Sequence, residues 1–413
     1  MNYDCIVLGA GIIGVSSALQ LQARGRSVCL IDKLEPGEGT SFGNAGLIER
    51  SSVIPYAFPR ELSKLIRYAF NNQSDVRYDF SYLPKIAPWL AKYWWHSAPK
   101  RLAQAAADMW PLIQRCVIEH DKWVAQAGLQ HLISPKGWIE VFRNEEVFNH
   151  ALQDLIELDF YQLNYDVLGK QQLREREPTL KASVKGGIHW LDPKTVTDPS
   201  LLTKGYAQLF VKLGGTLLKG DANTLKQTAN GWSVQANEQT ITADNVVIAL
   251  GADSASLLKQ FGVYAPLGVK RGYHKHYQVE PEHVLQHSIC DHLAGFILAP
   301  MTNGIRLTTG AEFADPNKPA NDIQLKRAEA IARVIYPLGE AVETTPWLGR
   351  RPCMPDMRPV IGAVPNMAGL WTNFGHAHHG LTLGPISGRL LADLITGEKP
   401  FTDPTPYSIK RFS

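Results

Sequence analysis

The chain lacks any run of the roughly 18 uninterrupted apolar residues that a membrane-spanning helix requires, so a transmembrane protein is not expected. It also lacks a block of like charge. Charged residues make up 20% of the 413 positions and sum to only +3, which argues against a nucleic-acid partner, whose contact surface would carry a clustered basic stripe. Cysteine is scarce: Cys5, Cys29, Cys116, Cys290 and Cys353 are odd in number and scattered, with no Cys-x-x-Cys pair. Neither a disulfide framework nor a zinc site is expected, and a reducing compartment, by default the cytoplasm, is the natural reading. The opening "MNYDCIVLGAGIIG" has no basic segment ahead of its apolar run and does not read as a secretory signal. No internal repeat or low-complexity segment is present.

What remains is a globular composition, 45% hydrophobic, at a length suited to two domains or one elaborate one. The strongest local pattern is "YDCIVLGAGIIGVSSALQLQARGRSVCLIDK". Tyr3–Leu8 suits a central parallel strand, Val15–Ala23 a helix ending at Gly25, and "SVCLID" a second strand closing on Asp32. Gly9, Gly11 and Gly14 form G-x-G-x-x-G between strand and helix. Gly9 permits the turn, Gly11 lets the backbone approach a pyrophosphate at the helix N-terminus, and Gly14 lets helix and strand pack closely. Asp32 lies where a carboxylate would take the ribose hydroxyls, and its charge disfavours a 2′-phosphate, so NADP is the poorest of the dinucleotides. The motif itself leaves NAD and FAD open. The following loop, "GEGTSFGNAGLIERSS", is rich in small and polar residues, among them Thr40, Ser41, Asn44 and Gly46, as suits a segment lying along an extended cofactor.

Taken together, "GAGIIG…LIDK…GTSFGNAGLI" resembles the opening of the FAD-dependent D-amino-acid dehydrogenase and oxidase group, which includes glycine oxidase and sarcosine oxidase. "ADNVVIALGADS" (243–254), "GRRPCMPDMRPVIG" (349–362) and "NFGHAHHGLTLGPISGRLLADLI" (373–395) resemble later segments of that family, in its order. "SFGNAGLI" and "GIRLTTGAEF" (304–313) are most similar to the small-subunit type of bacterial D-amino-acid dehydrogenase. The resemblance implies FAD as cofactor and an α/β fold. A Rossmann-type FAD-binding domain would be made from residues 1–50, 197–265 and 345–413. A discontinuous substrate domain on a mostly antiparallel sheet would take 51–196 and 266–344. It also implies cofactor contacts at Ile12, Ile13, Lys33, Ala45, Leu47, Ala222, Gly251, Gly375, Gly380, Leu381 and Thr382. The implied reaction is oxidative deamination of an amino acid by hydride transfer from Cα to flavin, with electrons passed to a quinone or other respiratory carrier. Related enzymes acting on D-hydroxyproline, D-proline, sarcosine or glycine are the neighbouring alternative. A flavin-binding partner protein without turnover is the alternative of another class.

Such chemistry needs no protein nucleophile; it needs the substrate held and its amine neutral. An arginine fork is the best holder of a carboxylate, and Arg351 matches the family's Arg-Pro arginine, with Arg350 expected to face elsewhere. In "VKRGYHKHYQV" (269–279), strand alternation puts Tyr273 and His274 on opposite faces, and Tyr273 is the expected pocket residue. His376, His378 and His379 crowd one turn. Metal binding is disfavoured, because consecutive turn residues diverge and no further ligand is evident nearby. His376, then His378, are expected to line the pocket and His379 to pack, while the following helix start offers N–H groups to the cofactor's electron-rich edge. Some sarcosine oxidases tether flavin through a cysteine near this region; the offset of Cys353 differs, so non-covalent FAD is expected. "GWSVQANEQTITADNVVIAL" and "GFILAPMTNGIRLTTGAEF" read as hairpins, the second turning at Asn303-Gly304. Arg101–Ala127 reads as an amphipathic helix bent near Pro111. "IAPWLAKYWWHSAPKRL", with Trp89, Tyr93, Trp94 and Trp95 beside Lys92, Lys100 and Arg101, reads first as aromatic packing and second as contact with the inner face of a membrane.

Overall fold

The computed structural model describes residues 1–412. Strand Asn2–Leu8 is buried from Cys5 onward and lies between Val28–Asp32 and Gln239–Ile248, parallel to both. Burial on both faces is why these strands read as continuous apolar runs. Thr216–Thr228 continues the parallel ladder beyond Val28–Asp32, and Leu370–Phe374 continues it on the other side. Val360–Ala363 closes that edge antiparallel. The hairpin expected at 231–248 forms, with Gly231–Ala236 antiparallel to both of its neighbours.

Helix Ile12–Gln22 follows the glycine turn and packs against the last helix, Gly380–Thr396. Two glycines permit the close approach. A Cβ on Gly384 would sit 2.8 Å from the Ile12 side chain, and one on Gly388 would sit 2.8 Å from the Ser16 backbone.

A second sheet of ten strands holds Gly268–Tyr277 between Trp347–Cys353 on one side and Gly304–Thr308 followed by Ala311–Phe313 along the other. It is antiparallel except where Val76–Tyr78 meets Ala311–Phe313 and Ser288–Asp291 meets Trp138–Phe142. The Asn303-Gly304 turn joins Ile297–Met301 to Gly304–Thr308, with Gly304 at φ +115°. A small third sheet pairs Lys194–Val196 with Leu47–Ile48 and with Ile133–Ser134.

One expectation is corrected. Arg101–Ala127 is not one bent helix but two, Pro99–Ile113 and Cys116–Ala127. Pro111 lies within the first, and the break falls at Arg115, whose guanidinium takes the Pro111 carbonyl (3.1 Å) that a continuing helix would leave to its amide. The aromatic stretch divides: Trp89 and Tyr93 of helix Leu83–His96 are buried, whereas Trp94 and Trp95 are 41% and 55% exposed. Arg60 and Arg101 each lie 4.0 Å over one of those exposed indoles. Among the described residues no helix is long and apolar enough to cross a membrane.

In an exposed helix, glycine to alanine stabilises by up to about 1 kcal/mol. Gly388→Ala should do the reverse, lowering stability by roughly 1–3 kcal/mol through overpacking. Thermal unfolding measures the sign, and a raised midpoint would contradict the close helix contact.

Candidate functional site

A cavity of about 1320 Å³ runs from the glycine turn to the second sheet. Gly9, Gly11, Ile12, Ile13, Asp32, Lys33, Ala222 and Gly251 line it, as do Thr40, Ser41, Asn44, Ala45 and Leu47. Gly375, His376, His378, Gly380, Leu381, Arg351 and Tyr273 line it too. Three expected cofactor contacts lie behind this wall instead. A Cβ on Gly14 would be 1.7 Å from the Gly9 carbonyl oxygen, and one on Gly46 would be 2.3 Å from that of Val196, so both glycines serve packing. The Thr382 hydroxyl donates to the Leu47 carbonyl and accepts the Glu49 N–H, each at 3.1 Å, tying the last helix to the loop.

The first helix presents its N-terminus to the cavity with no side-chain cap from Gly11 and no acid in its first turn, a ready anion site. Ser41 Oγ accepts the Ile12 N–H at 2.9 Å, drawing the small-residue loop onto that helix end. Asp32 ends its strand with one carboxylate oxygen 2.6 Å from the Ala10 N–H and the other 2.9 Å from the Leu34 N–H. These bonds hold the carboxylate at the cavity edge.

On the second sheet, Arg351 lies opposite Lys270 in the ladder. Its guanidinium crosses Gly272, where a Cβ would be 2.4 Å from Nη2. Nη1 and Nη2 donate to the Gly310 and Thr309 carbonyls at 2.5 and 3.0 Å, two of the five donors an arginine carries. Arg350 pairs with Asp253 at 2.8 Å, and both residues also line the cavity. Tyr273 is buried at the wall, but its hydroxyl is spent. It donates to Glu312 and accepts from Arg271 (2.7 Å) and Asn321 (3.0 Å), so the carboxylate contact expected of it has no free lone pair or proton. His274, on the other face, is stacked between Phe42 and Trp347, and burial pushes its imidazole down to about 2.

The histidine turn is fastened to the arginine strand. Cys353 bridges to His376, and the Ala377 N–H donates to the Pro352 carbonyl at 2.8 Å. Ala377 itself takes φ +51°, a costly conformation for a residue with a Cβ. Both ring nitrogens of His376 and Nε2 of His378 are buried without a hydrogen-bond partner. Burial, and secondarily the neighbouring His379, pushes His376 down to about 3, and the same causes hold His378 well below its ordinary value. Both are neutral near pH 7. His379 packs inward, its Nε2 2.9 Å from Ser52 Oγ and 3.6 Å from Glu49. The sequence offered no partner ligand for these histidines. The fold brings one, since ligand atoms of Glu49, His378 and His379 lie within 4.8 Å of one another.

Sequence reasoning missed Lys270, Tyr56 and Trp347, all on the cavity wall. Tyr56 lies 4.6 Å over His378, brought there by a loop whose sequence has no periodicity to flag it. Trp347 fills the space beside Gly43, where a Cβ would be 1.8 Å from its ring. Lys270 was hidden by its neighbours in a strand read for Tyr273 and His274 alone.

A glycine turn feeding a helix N-terminus, an acid at the next strand end and a long cavity reaching an arginine define a dinucleotide-dependent oxidoreductase. The chain belongs to the DAO family, FAD dependent oxidoreductase, the match running over residues 4–394, and its cofactor is FAD. It is 30% identical to a protein named D-amino-acid oxidase from Bradyrhizobium diazoefficiens, with 98% of each chain aligned. It is 29% identical to a D-amino acid dehydrogenase of Rhizobium rhizogenes, covering 98% of this chain and 99% of that one. The fold matches glycine oxidase from Geobacillus kaustophilus, with a TM-score of 0.75, 22% identity and 99% of each chain covered. The helix N-terminus, with no acid in its first turn, and the fixed Asp32 suit the pyrophosphate and ribose of FAD.

Gly272→Ala should displace the Arg351 guanidinium and raise KM for substrate on the order of tenfold or more, with FAD content unchanged. Steady-state kinetics beside the flavin spectrum tests this; an unaltered KM would place Arg351 outside substrate binding. The buried neutral His376 has a folded-state pKa below its unfolded one, so the unfolded chain binds the extra proton. Its contribution is complete above about pH 6.5 and is lost as the pH falls toward 3. His376→Leu should therefore flatten the acid side of the stability profile by about one proton, read from thermal midpoints between pH 7 and 4.

Proposed function

We propose that the protein oxidises D-amino acids to 2-oxo acids and ammonia through the imino acid, passing the electrons to a respiratory acceptor such as a quinone. The observation that carries this reading is an arginine with donors to spare, Arg351, fastened through Cys353 to a buried histidine, His376, whose nitrogens have no partner. An α-amino acid has the matching pair of groups, a carboxylate and an amine on one carbon. The glycine turn, Asp32 and the 39–47 loop would hold FAD, which would supply the acceptor for the hydride leaving Cα. Arg351 holds the carboxylate and so fixes the direction in which Cα–H points. His376, neutral and a weak base, orients the amine by accepting a hydrogen bond from it rather than by removing a proton. Hydrolysis of the imino acid needs no group of the chain. In this reading residues 1–50, 197–265 and 345–413 hold FAD and 51–196 and 266–344 form the substrate domain, with Arg351 and His376 of the last FAD-binding segment completing the substrate site.

The names of the relatives support the D-enantiomer. The helix Leu62–Ala69 supports delivery of electrons at a membrane surface on the cytoplasmic side. It has no buried residue, and Leu62, Ile66 and the following Phe70 are 72%, 53% and 74% exposed beside Arg60, Lys64 and Arg67. Leu65, Tyr68 and Ala69 of the same segment line the cavity, so a lipid-soluble acceptor would enter there.

Anaerobic mixing with D-amino acids, their L-enantiomers, D-hydroxyproline, sarcosine and glycine should bleach the flavin with D-amino acids and leave it yellow with the L-forms. Bleaching by sarcosine or glycine alone would move the substrate to secondary or unsubstituted amines. Co-sedimentation with anionic vesicles should fall severalfold in Ile66→Asp; equal sedimentation would remove the membrane from the reading.

A further inference from the structure

Lys270 has no role in the chemistry above, yet it stands on the cavity wall directly opposite Arg351 in an antiparallel ladder. Like charges placed opposite one another on a sheet repel, and the cost grows when both are buried. The ionisable groups facing Lys270 are Tyr93, Cys353 and Arg351, with no carboxylate among them. Glu49, a carboxylate of the same cavity, is directed to His379 at 3.6 Å.

The two cationic heads diverge. Arg351 runs along its strand to Gly272, Thr309 and Gly310. Lys270 turns the other way, into an aromatic box where its Nζ lies 4.1 Å from the Tyr93 ring centroid, 5.8 Å from that of Trp89 and 5.9 Å from that of Phe313. The box is fixed from behind. Trp89 Nε1 donates to the Pro266 carbonyl at 3.1 Å, and the Tyr93 hydroxyl donates to the Tyr56 carbonyl, joining the box to the ring over His378. Aromatic faces and the Tyr93 hydroxyl offset part of the desolvation of the ammonium, but an ammonium carries three N–H donors and no carboxylate is there to take the others. The cavity therefore offers two separate cations about one side-chain repeat apart, roughly 6–7 Å along a strand.

We propose that Lys270 is a specificity-determining residue that binds a second carboxylate, at the side-chain end of the substrate, so that the preferred substrates are acidic D-amino acids. The inference rests on the reading of the site as a D-amino-acid oxidoreductase. Arg351 takes the α-carboxylate and Lys270 the distal one, which relieves the repulsion between the two cations. A neutral side chain of equal size would bury the ammonium uncompensated.

The experiment compares D-glutamate with D-glutamine, and D-aspartate with D-asparagine, by anaerobic flavin reduction in the holoenzyme and in Lys270→Met and Lys270→Arg. The native enzyme should favour each acid over its amide by roughly 10- to 100-fold in reduction rate over apparent Kd, the range for a hydrogen bond to a charged group. The ratio should fall to about 1 in Lys270→Met and recover in Lys270→Arg. D-alanine or the amides bleaching the native flavin as well as the acids would overturn the inference while leaving the D-amino-acid reading intact. So would an equal loss for acid and amide in Lys270→Met, which would make Lys270 part of a single clamp with Arg351. Failure of every D-amino acid would overturn the parent reading instead. The native ratio decides the matter even if Lys270→Met does not fold.

Discussion

The close contact between the first and last helices governs the rest of the structure. Ile12–Gln22 and Gly380–Thr396 approach through Gly384 and Gly388, where no larger residue fits without displacing backbone or side chain of the partner helix. Polar contacts reinforce the seam: the Gln20 amide donates to the Pro385 carbonyl at 3.3 Å, and Asn373 donates to Ser17 Oγ at 2.9 Å. Because the glycine turn precedes one helix and the histidine turn precedes the other, this seam fixes the distance between the phosphate-facing backbone and the pocket histidines. The short Cys353–His376 bridge then carries the same reference frame across to the arginine strand on the other sheet.

Within that frame charge is distributed unevenly. The fully buried Arg271–Glu312 pair, 3.0 Å apart and joined by Tyr273, Asn321 and Arg77, draws most of its hydrogen bonds from these neighbours and anchors the 315–319 loop through two backbone carbonyls. A pair of that kind holds geometry and adds little net stability. The groups facing the cavity are the reverse: Arg351 keeps donors to spare, and His376 has no partner at all. Completed networks behind the wall and incomplete ones on it are the arrangement expected where a ligand supplies the missing bonds.

Much of this was legible in the sequence, and the reasons differ by segment. The glycine turn, its flanking strands and both hairpins follow from local rules, because periodicity and φ-positive glycines act over a few residues. The mixed but largely antiparallel second sheet and the FAD requirement followed from resemblance. The split at Arg115 did not follow, since it depends on a side chain capturing a carbonyl that the proline was expected to disturb by itself. The Tyr273 hydroxyl was assigned to substrate because Glu312 and Asn321, its actual partners, are far away in the chain. Glu49 beside His378 and His379, and Lys270 opposite Arg351, likewise exist only once distant strands pair.

The ladder order of the first sheet has a consequence for how the chain is made. Asn2–Leu8 is synthesised well before one of its two neighbours, Gln239–Ile248, which emerges more than half a chain later, and the helix that packs on Ile12–Gln22 comes later still. Until then the earliest strand offers a bare apolar edge, a site for wrong pairing with another nascent chain. The pairing of residues 2–8 with 242–248 therefore closes late, and its long sequence separation slows folding relative to a chain of local contacts.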